Sequence, residues 1–225
     1  MQLAVFGCGW AAYQYLHVFV PVLRRQRRLT LLIVFPFALA VSIGFFGLTS
    51  QAVSVWMVFG VVGVCTLCYA FPFGEKMGLR YVPTVKVFVV AFCWTALAML
   101  SLHELPSTVF ALVTAKSIFW MMCLILPFEL RDMNKDEKAL KTLPQLLGAT
   151  GVKILGAVLI CVTAFLAFKT VQVTLLLWVE WVMLLLLTIA IFKSTPKRSF
   201  AYTSFWVEGI PVLWFLGSVF VLIFY

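Results

Sequence analysis

The chain has 225 residues, of which 64% are hydrophobic and 11% charged. A soluble domain carries about 25% charged residues, which excludes a water-soluble globule, and about eight spans of roughly 20 residues consume these residues, so no separate soluble domain is expected among them. The formal net charge of +9 therefore reads as an orientation signal and a contact for anionic headgroups, not as a nucleic-acid surface.

The apolar windows predict an all-α polytopic membrane bundle, one domain over residues 1–225, with eight transmembrane helices at 3–21, 29–48, 52–71, 83–101, 107–127, 147–168, 171–192 and 204–225. The first window has neither a basic n-region nor a small-residue cleavage site, so it is expected to be a retained span. It carries Gln14 and His17 and ends before Arg24, Arg25, Arg27 and Arg28. In span three, Cys65 and Cys68 form a C-x-x-C with no second pair nearby. Small buried hydrophobes are the expected reading, and no disulfide framework is indicated.

After span three the chain runs through Tyr69, Lys76, Arg80 and Tyr81 to Pro83 and Lys86. Arg and Lys suit phosphate oxygens, although the same residues also serve as ordinary anchors on a cytoplasmic face. Lys116, in span five, and Glu180, in span seven, lie at similar depth, roughly 14–15 Å from the outer ends of their spans. They can pair in the interior, as a structural ion pair or as an intramembrane site. His17 and His103 fall at opposite faces, which excludes their ligating one haem together.

The loop after span five reads Glu129-Leu-Arg131-Asp132-Met-Asn-Lys135-Asp136, and then Lys141-Thr142-Leu143-Pro144. On a helix, Glu129, Asp132 and Asp136 fall at about 0°, 300° and 340°, one sector of about 60°. Arg131 and Lys135 fall at about 200° and 240°, away from it. Three oxygen donors on one face suit Mg²⁺, which in turn suits a diphosphate. A solvated amphipathic turn shows the same segregation. After span seven come Lys193, Lys197 and Arg198, and Glu208-Gly209 opens span eight.

Fourteen of the 17 basic residues lie on the loops after spans one, three, five and seven, counting Lys86 at the start of span four. Those loops are therefore expected in the cytoplasm, with both termini on the other side, in a bacterial inner membrane.

The carboxylate run with Lys-Thr-Leu-Pro, together with the Tyr69–Lys86 loop, resembles the UbiA superfamily of membrane prenyltransferases. The resemblance covers nearly the whole chain. It implies magnesium on Glu129, Asp132 and Asp136, a diphosphate on Lys86, Arg80 and Arg131, and cavity lining by Tyr69, Tyr81 and Glu208. Family members have nine spans and a first aspartate-rich motif at the end of the second. Here the helix in that place, Ala11 to Arg25, contains no Asp or Glu. The alignment that follows lacks the family's first helix.

Ionising a prenyl diphosphate needs metal ions to offset the leaving group's charge, and loss of one such stabilising element typically costs about 10²–10³ in rate. The expectation is a non-catalytic relative that binds an isoprenoid or lipid headgroup, with lipid or a partner's transmembrane helix in the missing first-helix position. The alternative is an active Mg-dependent prenyltransferase acting on a quinone precursor, a haem or a lipid.

Overall fold

Long apolar windows with few charges leave the backbone one economical way to satisfy its own hydrogen bonds, which is the helix. The structure is a computed structural model, and it describes residues 41, 53–70, 82, 84–102, 105–135 and 141–224. Its helices are α1 (Val53–Ala70), α2 (Val85–Met99), α3 (Ser107–Asp132), α4 (Leu143–Thr170), α5 (Thr174–Lys193) and α6 (Glu208–Phe224). A 3₁₀ turn, Leu100–Leu102, follows α2, and a π-helical segment, Tyr202–Val207, runs directly into α6. No strand occurs among the described residues.

Four of these elements are long and apolar enough to cross a membrane: α3, α4, α5 and the continuous stretch Tyr202–Phe224. The apolar stretches of α1 and α2 are shorter. Apart from Val41, the first two expected spans lie outside the described residues. α3 runs five residues past its expected end at 127, and α4 begins four before 147.

The chain divides into two compact units. One comprises Met1–Arg80 and Ala96–Glu104 and holds α1. The other comprises Tyr81–Thr95 and Leu105–Tyr225. Cys65 and Cys68 are free thiols, half-buried on α1.

In the second unit α3 packs on α4 and α5, and α5 packs on α6. The connection from Thr170 to Thr174 is short, as expected of neighbouring antiparallel helices. The core gathers Trp120, Cys123, Leu126 and Leu130 of α3, Val152 and Leu159 of α4, and Leu187 and Ile191 of α5. Gly156 lets α4 approach closely: a Cβ there would stand 3.0 Å from Ile191 Cγ2 and 3.2 Å from Leu126 Cδ1.

The outside of this unit is as apolar as the inside. Ile154, Phe165, Leu185, Phe215 and Leu222 are all exposed. Helices that are hydrophobic all round belong in lipid or in a large core. Hydroxyls within them are satisfied locally, as Thr114, Thr163, Thr170 and Thr188 each donate to the carbonyl four residues back, at 2.7–2.8 Å. That arrangement requires no water.

Candidate functional site

The charged end of α3 is built on a proline. Pro127 lies inside the helix and removes one backbone donor, yet the helix continues to Asp132. Leu126 and Leu130, both fully buried, hold the last turns against the bundle. The Lys135 amide then donates to the Asp132 carbonyl at 2.8 Å and closes the turn.

Acidic groups in the last turn of a helix face the negative end of its dipole, so each needs a cation. Glu129 takes Lys86 of α2: Lys86 Nζ lies 2.6 Å from Glu129 Oε1. The carboxylate side chain is only 2% exposed and the lysine 24%. Lys86 in turn stands at the second position of α2, where the dipole disfavours a cation and Glu129 compensates. Thr84, just before this helix, has φ 63°. A β-branched residue in the left-handed region is strained, and here it sets the entry of the chain into α2.

Asp132 takes its own neighbour. Arg131 Nε donates to Asp132 Oδ1 at 2.8 Å and Arg131 Nη2 to Oδ2 at 2.5 Å. Lys135 Nζ adds a longer contact at 3.9 Å. Arg131 also reaches inward, donating through Nη1 to Thr203 Oγ1 at 2.5 Å. Its guanidinium lies 5.5 Å from the Phe128 ring centre and 5.1 Å from that of Phe200. Thr203 passes the chain on, donating to the Phe200 carbonyl at 3.0 Å. A planar cation with a carboxylate fork, a hydroxyl and two ring faces is an anchor between α3 and the π-helical segment.

The Lys-Thr-Leu-Pro run closes the same end. Lys141 has φ 42°, and Thr142 stands at the N-cap of α4, its amide donating to Gln145 Oε1 at 3.1 Å. Leu143 and Pro144 are buried. A Pro in the first turn costs no hydrogen bond. Gly148, at φ 69°, then kinks α4 one turn in.

Lys86 and Glu129 thus share one contact, and Arg131 and Asp132 another. Glu208 is exposed where the π-helical segment passes into α6. Tyr69 is half-buried near the end of α1, in the other unit. Arg80, Tyr81 and Asp136 lie outside the described residues, as do Gln14, His17 and His103. Among the described residues no group of three or more His, Cys, Asp or Glu stands where it could hold a metal ion.

A second charged group lies deeper. Lys116 Nζ of α3 is 2.5 Å from Glu180 Oε1 of α5, with both side chains less than a tenth exposed. Lys116 also lies 5.9 Å from the ring centre of Trp214, which stacks on Trp120 at 5.0 Å.

Spacing along the chain gave no hint of the Arg131–Thr203 bond, because 72 positions separate the two residues. The only available signal was an arginine one residue away from the acidic face. Set against family models, curated proteins and solved structures, the chain matches none of them.

Proposed function

We propose that this chain is an integral membrane protein of UbiA-like architecture with eight spans, and that it binds an isoprenoid or lipid diphosphate at the charged end of α3 with little or no turnover. In this reading the loop after α3 faces the cytoplasm of a bacterial cell, and lipid or a helix of a partner subunit fills the place of the family's first helix.

The Lys86–Glu129 contact carries the reading. Lys86 is the accessible member of the pair and Glu129 the buried one. An incoming diphosphate takes Lys86 as a point charge. That removes from the buried Glu129 carboxylate the lysine it pairs with, and breaking a buried ion pair typically costs about 3–5 kcal/mol. A divalent cation arriving with the diphosphate would avoid the cost by taking the place of Lys86 at the carboxylate. Glu129 and Asp132 would hold Mg²⁺, whose contribution is to neutralise the diphosphate. Arg131, held by Asp132, Thr203 and two rings, positions Asp132 and keeps the end of α3 in place.

Binding without chemistry follows from the single acidic cluster. Interactions that hold ground state and transition state equally well do not speed the chemical step. The test is calorimetric titration of the protein in nanodiscs with geranylgeranyl diphosphate, with and without Mg²⁺. We expect Mg-dependent binding that weakens at least about tenfold in Lys86→Met and in Glu129→Gln. Binding indifferent to Lys86→Met removes the site. Robust single-turnover prenyl transfer, abolished by Asp132→Ala, would make the chain a prenyltransferase instead.

A further inference from the structure

Lys116, Trp120, Glu180 and Trp214 form one connected group inside the second unit, and the diphosphate reading makes no use of it. Lys116 and Trp120 are one turn apart on α3 and share a face. Lys116 pairs with Glu180 Oε1 and lies over Trp214, and Trp214 stacks on Trp120 with 29° between the rings. Lys116, Trp120 and Glu180 are all more than nine-tenths buried.

Two polar atoms of the group have no hydrogen-bond partner: the second carboxylate oxygen, Glu180 Oε2, and the indole nitrogen, Trp120 Nε1. Buried orphans are rare in native proteins, and each calls for an explanation. These two are of opposite kinds. Glu180 Oε2 accepts and lacks a donor, while Trp120 Nε1–H donates and lacks an acceptor. An anion would meet Glu180. A second cation would meet Lys116. A carbonyl would serve Trp120 and leave Glu180 as it is. A hydroxyl both donates and accepts, and it carries no charge.

We propose that this group is a hydroxyl-binding site within the helical bundle. The ligand O–H donates to Glu180 Oε2, and a lone pair of its oxygen accepts from Trp120 Nε1–H, directly or through a second hydroxyl. Two sources offer this chemistry, ordered water and the alcohol of a membrane lipid. Either would complete the ion pair, since a buried carboxylate is held well only when its remaining lone pairs are satisfied.

The experiment is solid-state NMR of ¹⁵N-indole-labelled protein in phosphatidylcholine vesicles, a lipid without hydroxyls, with and without added diacylglycerol. Magnetisation transfer to the Trp120 N–H is followed from water and from the diacylglycerol hydroxyl. The Trp120 signal is assigned by its loss in Trp120→Phe. Transfer from water in plain phosphatidylcholine supports an internal water. Transfer that appears only with diacylglycerol supports a lipid alcohol. An indole proton with no transfer from either source, at the shift of a free N–H, overturns the proposal. In Glu180→Leu the ligand loses one anchor and the transfer falls by about tenfold; unchanged transfer there would also overturn the two-anchor site.

Discussion

Arg131 Nη1 and Thr203 Oγ1 meet at 2.5 Å across 72 positions of sequence and join the end of α3 to the π-helical segment. Both residues are buried. Thr203→Val keeps the shape and removes the acceptor of the Arg131 Nη1 hydrogen bond. The expected loss is about 1–3 kcal/mol in unfolding free energy, measured by steric trapping in bicelles. Arg131→Lys should cost at least as much, because an ammonium cannot form the fork to Asp132. Unfolding unchanged in Thr203→Val would show that Asp132 and the two phenyl rings hold Arg131 by themselves.

The Lys116–Glu180 pair gives a sharper test, because the two single changes and the double change should differ. Lys116→Leu leaves a buried carboxylate without its cation and should destabilise the fold by about 3–5 kcal/mol. Lys116→Leu with Glu180→Leu removes both charges and should recover most of that loss. Equal stability of the single and double variants in the same assay would argue that the two residues are not coupled.

Gly156 should tolerate no side chain. A Cβ meets Ile191 and Leu126 at 3.0–3.2 Å, so Gly156→Val should cost about 1–3 kcal/mol through overpacking. Gly60, on α1, has open space where a Cβ would go. Gly60→Ala is the control and should be neutral or slightly stabilising. Thermal unfolding in detergent, read by the loss of helical circular dichroism, separates the two.

Sidedness can be read directly. Reporter fusions after Asn134 and after Gln172 should lie on opposite sides of the membrane, with the first in the cytoplasm. The basis is the cluster of Arg131, Lys135, Lys138 and Lys141 on one connection and Lys169 alone near the other. Two reporters on the same side would remove α4 as a span.

Long apolar runs made α3, α4 and α5 legible in the sequence, because length and hydropathy are properties of a single segment. Their ends were less so. Pro127 followed by charged residues reads as a stop, but tertiary cover from Leu126 and Leu130 carries the helix to Asp132. Pro144 reads as loop before a span that starts at 147, whereas the chain begins its helix at Leu143 and bends at Gly148. Depth along a helix can be counted, so Lys116 and Glu180 stand out as candidates for each other. Arg131 shows the opposite case. Its spacing separates it from the acidic face, and only the packing of α3 on the π-helical segment explains where the guanidinium goes. The π-helical segment itself was invisible, since one extra residue in a short apolar run leaves no periodic trace.

That extra residue gives the last span a local reserve of length. A π-helical turn holds one residue more than an α-helical turn between the same two flanking faces. Removing Phe205, which is 70% exposed, would let the turn tighten while Thr203 stays aimed at Arg131 and Trp214 at Trp120. The same deletion a turn or two later has no surplus to consume. It would swing everything beyond it by about 100°, carrying Val221 out of the bundle. Tolerance to shortening in this span is thus confined to the segment Tyr202–Val207.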